Sequence, residues 1–265
     1  TEMTNGLYDS IKSFFNLEDE KKIKYYFPEL YGQRGYVIKG QEHAKGSSKG
    51  DLKEFFHIGN PVISNPKNVW PIEVIDFEKI GTEAYLTLES IGLTILESIA
   101  IYLGLEKQYF TDKVKGGESI MRSIHYYPLN ENDVQDGAVR AAAHGDINLI
   151  TLLMGASADG LEIFTKDKKW IPIISEPDQL VINVGDMMER LTNKRLMSTV
   201  HRVVNPDNSK LNTSRYSIPF FMHPKPHMDL SCLEGCVDKD NPKSFDDTTA
   251  GEFLEERLKE IGLKK

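Results

Sequence analysis

His144 and Asp146 are separated by one residue, and His201 follows much later in the chain. Two imidazoles and one carboxylate are a ligand set that can occupy one face of a ferrous ion and leave coordination positions open for oxygen chemistry. In an extended strand, residues two apart point to the same face, so His144 and Asp146 can point inward from one strand. His201 must then arrive from a second strand alongside it. Zinc also accepts these ligand types, so the three residues alone do not fix the metal.

A second pair with the same spacing, Arg215 and Ser217, would share one face of another strand. A guanidinium on the inner face of a β-barrel is costly unless it meets an anion. It binds a carboxylate as a two-pronged donor, and a serine hydroxyl can add a third hydrogen bond. The anion can be an Asp or Glu of the chain or an external dicarboxylate, and next to a possible iron site we favour the latter. By the same alternation Phe221 faces inward, where it would line a substrate pocket.

The elements that position these residues follow from apolar periodicity. An amphipathic helix with a break is expected over residues 7–27, then a loop-rich region with one short strand over 28–70. The longest helix is expected over 76–103, with Gly104 placed to end it, and a last helix over 248–263. After Ser119 the chain changes to short apolar or alternating runs separated by turn residues. These runs are 120–127, 139–146, 148–154, 160–164, 170–174, 179–184, 197–204 and 213–222.

Many short strands at near-regular spacing predict a mainly β fold with flanking helices. Its core would be a double-stranded β-helix, the jelly roll of cupin-like proteins, in which two strands can offer inward-facing ligands to one metal ion. We expect one structural unit with three parts. Residues 1–118 would form a mostly helical region packed on the barrel, 119–222 the jelly-roll catalytic core, and 223–265 a C-terminal loop and helix.

Net charge, the length of apolar stretches and the number of cysteines argue against several classes of function. With 40 acidic and 32 basic side chains the formal net charge is -8, which argues against binding nucleic acid through its phosphates. We predict no membrane span and no obligate protein partner. Cys232 and Cys236 are too few for a disulfide framework, and free thiols suggest a reducing compartment, so we expect a cytoplasmic protein. A zinc site at this pair would also need His223 and His227 and is the less favoured interpretation.

In this order and spacing, His144-x-Asp146, His201 and Arg215-x-Ser217 resemble the iron(II)- and 2-oxoglutarate-dependent dioxygenases, and more narrowly the isopenicillin N synthase-like subgroup. Further segments agree, and together they cover nearly the whole chain. They are 35–36, 51–54, 70–71, 122–128, 149–153, 160–162, 170–171 and 183–193. The combination is highly specific, although each segment alone is not.

The resemblance implies a role for each matching residue. The implied ligands of Fe(II) are His144, Asp146 and His201. The implied contacts of the distal carboxylate of 2-oxoglutarate are Arg215 and Ser217. Tyr127, matched to the second tyrosine of a Tyr-Tyr-Pro motif, would reach the same cosubstrate. His125, two residues earlier, would take a place that is commonly asparagine in the plant members.

The resemblance also implies a reaction. The chain would be an oxidoreductase that uses Fe(II), O2 and 2-oxoglutarate. It would couple decarboxylation of 2-oxoglutarate to succinate and CO2 with hydroxylation, desaturation or cyclisation of a small-molecule substrate. Two alternatives stay open, namely an iron oxidase on the same scaffold that does not use 2-oxoglutarate, and a non-catalytic β-barrel that binds a metal or small molecule.

The substrate-facing segments are expected in the loop 31–56 and in the C-terminal region 223–245, where the family has its variable pieces. The loop carries lysines that can attract an anionic substrate or form a solvated basic face. They are Lys39, Lys45, Lys49 and Lys53.

Overall fold

The computed structural model of the protein consists of two antiparallel β-sheets flanked by helices. It describes residues 2–42, 50–62, 65–130, 133, 139–174, 176, 179–261 and 263. The helices are Glu2–Phe15, Asp19–Lys22, Phe77–Tyr102, Thr111–Val114, Asp186–Leu191 and Ala250–Glu260. Short 3-10 turns are found at Ile23–Tyr25, Pro28–Leu30, Asn208–Lys210 and Glu234–Cys236. The strands are β1 (Gly35–Val37), β2 (Glu54–Gly59), β3 (Ile120–Tyr126), β4 (Ala141–His144), β5 (Ile150–Met154), β6 (Leu161–Phe164), β7 (Trp170–Pro172), β8 (Leu180–Val184), β9 (His201–Val203) and β10 (Arg215–Met222).

The larger sheet has the order β1-β2-β3-β10-β5-β8, and the smaller has the order β4-β9-β6-β7. One apolar cluster joins the two sheets, so they pack face to face. It contains Val37, Phe55, Ile124, Tyr126, Ala141, Leu161 and Val203. In the smaller sheet, β4 pairs with β9 so that His144 lies opposite His201. The mainly β architecture with flanking helices is therefore as predicted.

The long helix Phe77–Tyr102 covers the outer face of the larger sheet. Tyr85 packs edge-on against Phe220 of β10, with ring centroids 4.9 Å apart. A Cβ atom at Gly92 would meet Sδ of Met222 at 2.7 Å, so the absence of a side chain lets helix and strand approach. By length and composition alone this helix would also suit a membrane span, but its buried face makes it a core helix of this sheet.

Four details differ from the predictions. Strand β1 was not expected, because three residues are too few to show an alternating pattern. Helix Asp186–Leu191 was also missed. Strand β4 ends at His144, so Asp146 lies just after the strand rather than within it. The strand predicted over 197–204 is shorter, since only His201–Val203 pairs with neighbours.

Candidate active site

The side chains of His144, Asp146 and His201 converge on one point between the sheets. Their potential metal-ligating atoms all lie within 4.8 Å of one another, and among the described residues no other such group is found. The two imidazole centroids are 4.4 Å apart. Nε2 of His201 is 3.7 Å from Oδ1 of Asp146. Pairing of β4 with β9 thus brings together three residues that are far apart in sequence.

Hydrogen bonds orient both imidazoles for metal binding. Nδ1 of His144 lies 2.7 Å from the carbonyl oxygen of Ala142, and Nδ1 of His201 lies 3.0 Å from that of Thr199. Because a carbonyl only accepts, each Nδ1 donates its hydrogen and each Nε2 keeps a free lone pair. Burial and the neighbouring His201 lower the pKa of His144 to about 4, so its ring is neutral at physiological pH. This donor set fits Fe(II).

A small cavity of about 50 Å³ extends from these ligands to Arg215 and Ser217. Alternation along β10 directs Arg215, Ser217 and Phe221 into the space between the sheets, as predicted. Strands of both sheets line this cavity. It therefore connects the candidate metal ligands with the two residues expected to hold a dicarboxylate.

Arg215 is 1 % exposed, yet the ion pairs that arginines form among the described residues involve Arg122, Arg202 and Arg257 and not Arg215. Its Nε donates to the carbonyl oxygens of Ala158 and Asp159 at 3.0 and 3.1 Å. Its Nη1 is buried without a hydrogen-bond partner in the part of the chain that the structure describes. A buried unpaired donor on a cation is unfavourable, so this guanidinium fits an external carboxylate such as that of 2-oxoglutarate.

The tyrosine beside this arginine is Tyr126, not Tyr127. Strand β3 pairs with β10 so that Tyr126 is directly opposite Arg215. The guanidinium carbon lies 4.9 Å from the Tyr126 ring centroid, and Tyr126 lines the small cavity. Tyr127 follows the strand, is half-buried and does not line the small cavity. Nζ of Lys39 lies 5.4 Å from the centroid of the Tyr127 ring. The tyrosine that lies next to Arg215 is therefore one residue before the predicted one.

His125 also lies away from the small cavity, which corrects its predicted role. The residue of β3 opposite Ser217 is Ile124, and His125 points to the other face of the sheet. There Nδ1 of His125 is 2.7 Å from Oε1 of Glu54 and its ring stacks on Tyr216. His125 is therefore part of a buried polar cluster in the core.

A larger cavity, of about 310 Å³, opens beside His144 and Asp146. Phe221 lines both cavities and forms part of the wall between them. As expected, residues of the 31–56 loop contribute. They are Gln33, Glu42, Asp51 and Lys53. Among the described residues of the segment 223–245, only His223 lines the cavity. The C-terminal helix forms the wall that this segment was expected to form. The helix residues that line the cavity are Leu254, Arg257, Leu258 and Glu260.

Lys53 is not a free cation at this cavity. It is 5 % exposed, and its Nζ lies 2.7 Å from Oε1 of Glu42 and 2.8 Å from Oδ2 of Asp51. Although burial opposes it, these two carboxylates raise the pKa of Lys53. The ammonium group is thus neutralised by the wall itself, which leaves no support for Lys53 in anion binding. Lys45 and Lys49 lie outside the described residues.

His223 was expected to face the substrate only as part of the segment 223–245, and it was otherwise named as a ligand candidate for zinc near the two cysteines. It follows β10 and continues the inward face of Ser217 and Phe221, so alternation carried two residues further indicates it. His223 is buried, and its Nδ1 has no partner among the residues described. Burial lowers the pKa of His223 to about 4, so its ring is a neutral hydrogen-bonding group.

Comparisons with known proteins agree with this site. A family model described as the 2OG-Fe(II) oxygenase superfamily matches residues 117–224. A model for the N-terminal region of non-haem dioxygenases in morphine synthesis matches residues 1–77. The proline hydroxylase buaE of Petromyces alliaceus is 30% identical over 265 residues, covering 95% of this chain and 83% of that protein. The chain belongs to the 2OG-Fe(II) oxygenase superfamily.

Solved structures resemble this 2OG-Fe(II) oxygenase along nearly its whole length. A protein of Caulobacter crescentus assigned to the 2OG-Fe(II) oxygenase family is 43% identical, covers 98% of this chain and 86% of its own, and has a TM-score of 0.86. A full-length Neurospora crassa protein in complex with alpha-KG and thymine is 26% identical, with 97% and 83% coverage and a TM-score of 0.85. The jelly-roll core expected from the strand pattern is the core of these neighbours.

Membership of the superfamily settles the reaction class. The protein is an oxidoreductase that uses Fe(II), 2-oxoglutarate and O2. It couples oxidation of a substrate to the decarboxylation of 2-oxoglutarate to succinate and CO2. Neither the 2-oxoglutarate-independent oxidase nor the non-catalytic barrel is favoured by these relatives.

Proposed function

We propose that this oxygenase binds Fe(II) through Nε2 of His144, one carboxylate oxygen of Asp146 and Nε2 of His201. The convergence of these atoms within 4.8 Å supports the assignment, as do the carbonyl acceptors that fix both imidazoles. Bound Fe(II) and 2-oxoglutarate would supply the oxidant, made from O2 as 2-oxoglutarate loses CO2. The protein's own task is to position the reactants and to exclude water.

In the same proposal, 2-oxoglutarate occupies the small cavity. Arg215 and Ser217 bind its distal carboxylate, and the Tyr126 ring holds the guanidinium from the side. The observation that carries this assignment is the buried Nη1 of Arg215, which has no partner among the described residues. A carboxylate placed there would satisfy that donor with a charge-assisted hydrogen bond.

The substrate in this proposal is a small organic molecule in the larger cavity. Phe221, Leu254 and Leu258 offer it apolar surface, and the neutral imidazole of His223 offers one hydrogen bond. The cavity volume of about 310 Å³ suits a small molecule. The thymine complex of the Neurospora crassa protein supports a substrate of this size.

A screen of small metabolites tests the proposal by substrate-stimulated formation of succinate from 2-oxoglutarate in the Fe(II)-loaded enzyme. We expect at least one compound to raise the rate, and His144→Ala to reduce succinate to that of a protein-free mixture. The matched control is His227→Ala, because His227 is exposed and outside both cavities. Succinate formation by His144→Ala at the parental rate would refute the metal assignment.

A further inference from the structure

We infer that Thr151, held by Asn148, is a positioning residue that makes Asp146 a metal ligand through one oxygen only. This inference rests on the proposed Fe(II) site and adds residues outside the ligand set. It concerns Oδ2 of Asp146, the carboxylate oxygen that accepts a hydrogen bond from Thr151, and it follows from a short chain of buried hydrogen bonds.

The first link joins Thr151 to Asp146. Oγ1 of Thr151 lies 2.7 Å from Oδ2 of Asp146 and 3.3 Å from Oδ1 of Asn148. Nδ2 of Asn148 lies 3.1 Å from Oγ1 of Thr151 and donates to it. The hydroxyl therefore accepts from Asn148 and has a single hydrogen to give. The shorter contact directs that hydrogen to Asp146.

Both residues of this chain of hydrogen bonds are buried, Thr151 within β5 and Asn148 just before it. Thr151 is the second residue of β5, opposite Asn183 of β8 and Phe221 of β10, and is 2 % exposed. Asn148 is fully buried, and its Nδ2 also donates to the carbonyl oxygen of Ile150 at 2.8 Å. Gly185 packs closely beside it, since a Cβ there would lie 2.2 Å from the Asn148 carbonyl oxygen.

This arrangement assigns different tasks to the two oxygens of Asp146. Oδ2 is occupied by the Thr151 hydroxyl, whereas Oδ1 lies 3.7 Å from Nε2 of His201, on the side of the other ligands. A carboxylate bound through both oxygens would take one more coordination position. Three open positions are needed when a cosubstrate chelates the metal and O2 also binds. Thr151 would therefore keep the remaining coordination positions of the metal available to the cosubstrate and O2.

The test compares variants by their affinity for Co(II), with and without 2-oxoglutarate, in calorimetric titrations that need no substrate or turnover. Thr151→Val removes the hydroxyl at nearly constant volume, and Thr151→Ser restores it. Loss of an outer hydrogen bond to a metal ligand costs about 10–100-fold in metal affinity. We expect that loss for Thr151→Val, and recovery of the parental affinity for Thr151→Ser because its hydroxyl can donate the same hydrogen bond.

The matched control is Thr192→Val. Thr192 is equally buried, and its Oγ1 donates to the carbonyl oxygen of Met188 at 2.8 Å, in a helix that does not supply a proposed ligand. Thr192→Val removes a buried hydroxyl that does not contact a proposed metal ligand. It can therefore lower the stability of the protein, but its Co(II) affinity should equal that of the parent. Thr151→Ala removes the same hydroxyl and gives the comparison if the valine variant does not fold.

The outcomes separate this inference from the proposed function. Weaker Co(II) binding in the hydroxyl-free variants, with recovery in Thr151→Ser, supports the positioning role. Parental affinity in a folded Thr151→Val or Thr151→Ala protein overturns it and leaves the proposed site intact. Failure of the parent itself to bind Co(II) with 2-oxoglutarate overturns the proposed function instead.

Discussion

At the scale of single residues, the chemistry depends on which face of a strand a side chain occupies. A shift of one residue moves a side chain to the other face of the sheet. In β3 the register determines which of two adjacent tyrosines lies next to Arg215. Tyr126 is opposite Arg215, whereas Tyr127 follows the strand. The Tyr126 ring is 4.9 Å from the guanidinium carbon and restrains it.

Leucine variants of the two tyrosines measure this difference. Tyr126→Leu removes the ring beside Arg215, and a cation–π contact is worth about 0.5–2 kcal/mol, or roughly 2- to 30-fold in affinity. We expect the dissociation constant of 2-oxoglutarate for the metal-loaded protein to rise by that factor. Tyr127→Leu is the matched control and should leave it unchanged. The reverse result would reinstate Tyr127 as the cosubstrate contact.

Spacing in the sequence is enough to indicate the residues whose position follows from strand alternation. Arg215 with Ser217 is such a pair, whereas β4 ends at His144 and Asp146 lies just after the strand. His125 and Tyr127 lie outside the small cavity, because strand register decides which way a side chain points and similarity of sequence does not give that register. Thr151 could not be identified in advance, since its contact with Asp146 exists only after the chain folds.

At the scale of elements, a buried polar cluster attaches the N-terminal helical segment to the outer face of the larger sheet. Nζ of Lys22 lies 2.9 Å from Oε2 of Glu54 in β2, which also accepts a hydrogen bond from Tyr36. His125 of β3 contacts the other oxygen of Glu54. Although burial opposes ionisation, hydrogen bonds from His125 and its neighbours lower the pKa of Glu54.

Glu54→Gln tests the strength of this attachment. Removing one partner of a buried ion pair costs about 3–5 kcal/mol, so we expect a loss of that order in the free energy of unfolding at pH 7. Because the folded pKa is lowered, the contribution is present above the unfolded value of about 4.3. It is lost as the pH falls through the folded value.

Urea unfolding at a series of pH values measures the effect. The gap in stability between parent and Glu54→Gln should narrow below about pH 5. The exposed Glu83 provides a control, since Glu83→Gln should change neither the stability at pH 7 nor its pH dependence. A gap that stays constant down to pH 3 would show that the ionised Glu54 carboxylate is not what stabilises the cluster.

Long elements were easier to predict than short ones. Helix Phe77–Tyr102 has enough turns for its apolar period to be recognised, and Gly104 follows it with φ +73°, a conformation that glycine adopts readily. The C-terminal helix begins at a capping box formed by Thr249 and Glu252. By contrast, β1 depends on pairing with β2 rather than on its own three residues.

In the molecule as a whole, strand β10 runs from the small cavity to the larger one. Arg215 and Ser217 line the small cavity, Phe221 lines both, and His223 lines only the larger one. The candidate metal ligands His144 and Asp146 line both cavities. A cosubstrate and a substrate can therefore approach one metal from different sides, which is the arrangement that the coupled oxidation requires.

We propose that the metal site and the cosubstrate cavity of this protein are adjacent. Anaerobic titration of the protein with Fe(II) and 2-oxoglutarate tests it directly, because 2-oxoglutarate chelated to Fe(II) gives a weak visible charge-transfer band. We predict that the band appears only when both are present, that His144→Ala abolishes it, and that Arg215→Met shifts its formation to much higher 2-oxoglutarate concentration. No band in the folded parent protein, or an unchanged titration in both variants, would contradict this placement of the metal and the cosubstrate.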